Sequence, residues 1–260
     1  MELTGTTGHN EPMPAPIVLI SSAMAVSSRF YAPLVDAFVK HGWVAVSLPR
    51  RGFERELPVA RRGIDWSYDD EISDIADSVA KAHAEDPARP VILLGHSLGA
   101  QLGAGHQLHR DPADGFVCVA ASVPHAPYFP YAGIPLRILG SLIPVVARIR
   151  GFLPAPFFGA PGARTMMREW ARFVRTGKPP FAVPRRITTP TLSVRLEGDT
   201  YAVAASNSRY VEMFIDSPAL TEWTYHKDAV PEGGSTHHIH WARTPGPVAD
   251  RIVAWWDGQT

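Results

Sequence analysis

The chain has 260 residues, 45% hydrophobic and 19% charged, and its 25 basic side chains balance 25 acidic ones for a formal net charge of zero. Such a length and composition fit one globular domain with a sizeable core, and the neutral balance argues against a chain built as a whole to hold nucleic acid. The single cysteine, Cys118, excludes an internal disulfide, so nothing points to an oxidising compartment.

Residues 1–15 are polar and rich in glycine and proline, with room for at most one short edge strand. They carry neither the basic nor the apolar region of a secretory signal. No run elsewhere approaches the ~18 apolar residues of a spanning helix. The expectation is a cytoplasmic protein without a transmembrane segment. An apolar run at 15–20 reads as a buried strand, followed by a small-residue loop. The helix expected over 29–41 puts Phe30, Leu34, Phe38, Val35 and Val39 on one face before Gly42 stops it. Residues 43–48 read as the next buried strand. Ser67 caps a helix on which Ile72, Ile75, Val79 and Ala82 recur at helical spacing. Asp69, Asp70 and Glu71 sit in its first turn, where the helix dipole favours carboxylates, and read as helix-stabilising rather than catalytic groups.

The organising stretch is 90–105, PVILLGHSLGAQLGAG. An apolar strand ends abruptly at Gly95-His96-Ser97-Leu98-Gly99 and a small-residue helix follows to about His109. That is the G-x-S-x-G pattern of a strained strand-to-helix turn, in which glycines stand where a Cβ would collide and the serine hydroxyl is lifted clear of the sheet. Ser97 is the candidate nucleophile, with an ordinary helix cap as the competing reading. Residues 116–121 form another apolar strand containing Cys118. Strands at 191–196 and 221–226 resume the pattern, and a helix at 247–256 closes it. Apolar strands alternating with helices imply a parallel sheet covered on both faces.

A serine hydroxyl needs a base in hydrogen-bond reach, itself oriented by a third group. Asp199 directly follows the strand at 191–196, and His238 lies beyond the last strand and before the closing helix. Asp228 is a rival for the acid. The cluster of His237, His238 and His240 has a competing reading as metal ligands, although no cysteine or acid stands at ligand spacing. His96, His106 and His109 read as elbow and helix-surface residues.

The segments SSRFYAPL, DWSYDDEISD, GHSLGAQLG, REWARFVRTGK and EGDTYA resemble the α/β-hydrolase superfamily, in particular a bacterial group labelled serine aminopeptidase-like or predicted esterase, and the resemblance spans 15–257. It implies an α/β-hydrolase fold, mostly parallel sheet with helices on both faces and an inserted helical lid. The implied division is a core of 1–123 and 187–260 with a lid at 124–186. It also implies a triad in the chain order Ser97, Asp199, His238. Trp241 falls where the family's H-x-x-W pattern puts a tryptophan, which selects His238 over its neighbours. The oxyanion hole implied is the backbone N–H of Met24 and of Leu98. The family's His-Gly after the first core strand is here Ser22-Ala23, and its Gly-His near the base is His237-His238. No cofactor and no metal is implied.

Residues 124–186 carry ten basic side chains against the single acid Glu169, a net of nine positive charges in a neutral chain. A solvated face is one reading. Attraction of an anionic group is the other: a substrate carboxylate, a phosphopantetheine or CoA tail, an acidic carrier protein, or an anionic membrane surface touched by the amphipathic stretch PLRILGSLIPVVARIRGFL. The expected activity is hydrolysis of a small-molecule ester, thioester or amide through an acyl-enzyme on Ser97. A thioesterase, acyltransferase or cyclase is the alternative, and a non-catalytic binding protein on the same scaffold is a further one. The expected partner is a small-molecule acyl substrate, with an anionic group on the basic-lid reading, and neither nucleic acid nor oligomeric state is implied.

Overall fold

The structure is a computed structural model that describes residues 14–54 and 56–259. The edge strand allowed near the N-terminus falls outside them. The strands in chain order are β1 (Ile17–Ser21), β2 (Val44–Ser47), β3 (Val91–His96), β4 (Gly115–Val119), β5 (Phe152–Leu153), β6 (Gly162–Ala163), β7 (Thr191–Leu196) and β8 (Leu220–Tyr225). The helices are α1 (Ala32–Lys40), α2 (Tyr68–Glu85), α3 (Leu98–His109), α4 (Ile134–Arg150), α5 (Arg164–Thr176), α6 (Ala204–Phe214) and α7 (Gly246–Asp257). Six strands form one parallel sheet in the order β2-β1-β3-β4-β7-β8, while β5 and β6 make a small antiparallel pair.

The continuous apolar runs exist because both faces of the central strands are covered. Leu19, Leu93, Phe116 and Cys118 join one core layer with α2, α3 and α6. Their neighbours Val18, Ile20, Ile92, Leu94, Val117 and Val119 join the other, with α1 and α7. The two-residue side-chain period thus splits one apolar run between two cores.

Three local expectations need correction. β2 is not buried: it is an edge strand, and Val44 and Val46 are exposed. Val39 is also exposed, because α1 buries only the narrower stripe of Leu34 and Phe38. Nor is His106 a surface residue. It is fully buried in α3, and among the described residues neither ring nitrogen has a partner. One helix had no counterpart in the sequence reading: α6, whose AASNSRYVEMF lacks a sustained apolar stripe. Its place follows from the sheet: β7 and β8 are adjacent and parallel and must be joined by a crossover.

Burial, joined by the nearby charge of Arg110, pulls the His106 pKa down to about 4. The unfolded chain, with an ordinary histidine, binds more protons between about pH 4 and 6.5. Stability from this group is therefore complete above pH 6.5 and lost as pH falls toward 4, by about 3 kcal/mol. His96 acts in the same sense, since burial and then the neighbouring His238 hold its pKa well below the usual value. Urea unfolding midpoints measured from pH 7 down to 4 should fall steadily, and His106→Leu should flatten that slope. An unchanged slope would remove His106 as its source.

Between β4 and β7, residues 124–186 leave the sheet. α5 is pinned to the core at its first turn: Asp65 accepts from the Thr165 N–H (2.8 Å) and hydroxyl (2.7 Å) and pairs with Arg164 (3.2 Å). The N–H of Tyr68 in turn donates to Glu169 (2.8 Å). α4 packs on α5 through Gly140, where an added Cβ would meet Val174 Cγ1 at 2.9 Å. The stretch Pro130–Arg150 has a mean hydropathy of 1.5 over its most apolar window and meets the length of a spanning helix, which corrects the expectation that no run approaches one. Its apolar residues are divided, however: Gly140, Ile143 and Ala147 are buried against the fold while others face outward.

Candidate active site

The chain enters the sheet at β1, steps outward to β2 and returns on the other side of β1 as β3, so the order reverses between β1 and β3. Crevices at such reversals, beyond the carboxyl ends of the strands, are where open parallel sheets bind ligands. The loop after β1 carries Ser22, Ala23 and Met24; the turn after β3 carries Ser97; the loops after β7 and β8 carry Asp199 and His238.

Ser97 has φ 54° and ψ −112°, a conformation that L-residues avoid and that the surroundings must impose. The flanking glycines explain how. A Cβ on Gly95 would meet Ala100 Cα at 2.5 Å, and one on Gly99 would overlap the Ser21 carbonyl. The turn is locked by the Ser97 N–H donating to the Val119 carbonyl (2.9 Å).

His238 Nε2 lies 2.9 Å from Ser97 Oγ, and its Nδ1 lies 2.6 Å from Asp199 Oδ2. The other Asp199 oxygen accepts from the N–H groups of Tyr201 (2.7 Å) and Ala202 (3.0 Å), so the carboxylate is held at both ends. The Tyr201 ring stacks on His238 at 5.2 Å. The structure thus brings Ser97, His238 and Asp199 together. The rival Asp228 is exposed in a 3-10 turn, Lys227–Ala229. His237 stacks on His240 instead (4.5 Å), and among the described residues no cluster of three His, Cys, Asp or Glu side chains stands close enough to hold a metal ion.

Met24 and Leu98 both border the cavity at Ser97, and among the described residues no protein group accepts from their backbone N–H. Two networks absent from the sequence reading shape the loop that carries Met24. In the first, the buried Arg50 donates through Nη1 to the carbonyls of Ser22 (3.0 Å) and Ala23 (2.6 Å). Its Nη2 pairs with Glu71 (3.1 Å), which also accepts from Trp66 Nε1 (2.9 Å). Burial raises the Glu71 pKa, with Arg50 opposing. This corrects the reading of all three α2 acids as helix-stabilising groups. Asp70 completes a capping box with Ser67, whereas Glu71 turns inward as the counterion of Arg50. In a trans peptide the N–H points away from the C=O, so Arg50 fixes the direction of the Met24 N–H.

In the second network the Ala23 N–H donates to Tyr31 Oη (3.0 Å), which lies 2.7 Å from His96 Nδ1. His96 Nε2 is 2.8 Å from the His238 carbonyl. A carbonyl only accepts, so Nε2 carries the proton and Nδ1 accepts from the Tyr31 hydroxyl. Trp241 Nε1, 3.3 Å from the same Nε2, then has no lone pair to meet and serves as an edge-on packing partner. Burial keeps His96 neutral, as this arrangement requires. His96 therefore ties the β1 loop to the loop of His238.

The cavity over Ser97 has a volume of about 520 Å³. Its walls are largely apolar, with Phe129, Leu136, Leu139, Phe158, Trp170 and Ile239 contributing, and among the described residues no arginine or lysine lines it. None of the basic residues of 124–186 lines the chamber.

A family model described as serine aminopeptidase, S33, matches residues 12–155, more than half of the chain. No curated protein matches it. Among solved structures it is similar to a monoacylglycerol lipase of Paleococcus ferrophilus, at 15% identity, 93% coverage of this chain and 96% of the other, with a TM-score of 0.62. It is similar to an esterase from Exiguobacterium antarcticum at 14% identity, 93% and 91% coverage and a TM-score of 0.61. It is also similar to the type II thioesterase BorB of the borrelidin biosynthetic cluster at 16% identity, 93% and 91% coverage and a TM-score of 0.58. At such identities the likeness is one of fold.

Proposed function

Since the chain belongs to the serine aminopeptidase S33 family of α/β-hydrolases, we propose that this hydrolase cleaves esters of apolar acyl groups through an acyl-enzyme on Ser97. The observation that carries the reading is the unbroken chain from Ser97 Oγ through His238 to Asp199, at 2.9 and 2.6 Å, on the floor of an apolar cavity.

Ser97 Oγ attacks the substrate carbonyl while His238 Nε2 takes its proton, and Asp199 holds the ring and stabilises the imidazolium that forms. The N–H groups of Leu98 and Met24 receive the developing oxyanion. His238 then returns the proton to the leaving alcohol, and water, deprotonated by the same nitrogen, releases the acid. Residues 124–186 act as a cap over the acyl chain, with α4 and Trp170 of α5 forming its inner wall. Among the described residues no cation lines the walls, so selection rests on acyl size and shape.

The test is p-nitrophenyl esters of graded chain length, run beside acyl-CoA thioesters of the same acyl groups, with fluorophosphonate labelling read by peptide mass. The expected results are a kcat/KM optimum at medium or longer acyl chains and an adduct on the peptide that contains Ser97. An adduct elsewhere, or none, would overturn the assignment, and preference for the thioesters would move the substrate class.

A further inference from the structure

We propose that the outward face of α4 docks this enzyme on an anionic lipid surface. Five aliphatic side chains, Ile134, Ile138, Leu142, Val145 and Ile149, are between 49% and 68% exposed. They follow one another at steps of four, four, three and four residues, which on a helix is a single stripe. Tyr131 continues it just before the helix and is 88% exposed. The opposite side of α4 is committed to the fold through Gly140, Ile143 and Ala147, so the outward stripe is not a core face that has come loose.

Charge decides what covers it. Arg137 and Arg148 flank the stripe and Arg150 ends it; all three are exposed and, among the described residues, form no ion pair. The helix packed against α4 presents Arg164, Arg168, Arg172 and Arg175 on its own exposed face, and among the described residues only Arg164 of these has a carboxylate partner. Since none of these arginines lines the cavity, this charge does not serve to hold a substrate tail inside it. An aliphatic ridge rimmed by arginines matches the boundary between acyl chains and anionic headgroups, where the ridge enters the apolar layer and the guanidiniums meet phosphates. Arg137 within the helix and the packed inner face argue against a spanning segment. Pro135, Leu136 and Leu139 of the same helix line the cavity over Ser97. Docking by α4 therefore brings the chamber against the lipid layer, from which apolar esters can enter.

The test is co-sedimentation of the full chain with vesicles of phosphatidylglycerol and phosphatidylcholine, against phosphatidylcholine alone, at low and high salt. The parent should sediment with the anionic vesicles, and high salt should weaken the binding through screening. Ile138→Glu/Leu142→Glu should bind ~tenfold or more weakly, and Arg137→Glu/Arg148→Glu likewise. Both variants should hydrolyse a short soluble ester at the parental rate, because none of these four residues lines the cavity. Ser97→Ala should bind vesicles as the parent does, which separates this proposal from the catalytic one. Failure of the parent to sediment with anionic vesicles would overturn it, as would undiminished binding by the glutamate variants. A parent that ignores vesicles but dimerises, or binds an acidic protein through this face, would assign the stripe to that partner instead.

Discussion

Ser97→Ala and His238→Ala should each lower kcat on a soluble ester by about 10⁴-fold or more, and the double variant should be little worse than either alone. The reason is the shared proton. Without the hydroxyl there is no nucleophile for His238 to activate, and without the imidazole Ser97 Oγ stays a neutral alcohol at neutral pH. Multiplied losses in the double variant would mean that the two groups act in separate steps. His237→Ala and His240→Ala should cost far less. Their rings stack on each other, whereas His238 alone spans Ser97 and Asp199. The largest loss at His237 or His240 would relocate the base. Each variant should keep the parental unfolding midpoint, which excludes misfolding as the cause.

Arg50→Met should damage both stability and rate, and the two can be separated. It strips the counterion from Glu71, which is buried at 5% exposure, and an uncompensated buried charge destabilises by about 3–5 kcal/mol. Against the 5–15 kcal/mol typical of a whole domain that is a large share, and a lower urea midpoint should report it. The same substitution releases the Ser22 and Ala23 carbonyls, and with them the direction of the Met24 N–H. Arg50→Met/Glu71→Gln removes the stranded charge while leaving Trp66 Nε1 an acceptor. It should recover much of the midpoint yet keep kcat depressed by about 10²–10³-fold, the loss typical of one oxyanion donor. Recovery of kcat together with stability would show that Arg50 matters only as the partner of Glu71.

The α/β architecture and the serine of the strand-to-helix turn were legible because their causes are local. Buried strand runs, the Ser67 and Asp70 capping box, and glycines where a neighbouring backbone leaves no room for a Cβ are each written within a few consecutive residues. The order of Asp199 and His238 after Ser97 was implied by the family resemblance rather than by any local pattern. Pairings across the fold were not legible. Glu71 looks like its neighbours Asp69 and Asp70 until the loop after β2 is placed against α2 and Arg50 meets it. His96 and His238 are 142 residues apart, and His96 gains its partners only where the turn after β3 meets the loop after β8. The sequence determined that β2 is a strand, but only its place at the sheet edge decided that Val44 and Val46 face water. It likewise showed an amphipathic, arginine-rich segment at 124–186. Which side of α4 packs on α5 and the cavity, and which is left outward, depends on contacts that no spacing encodes, because burial is a property of neighbours brought together by the chain and not of the chain itself.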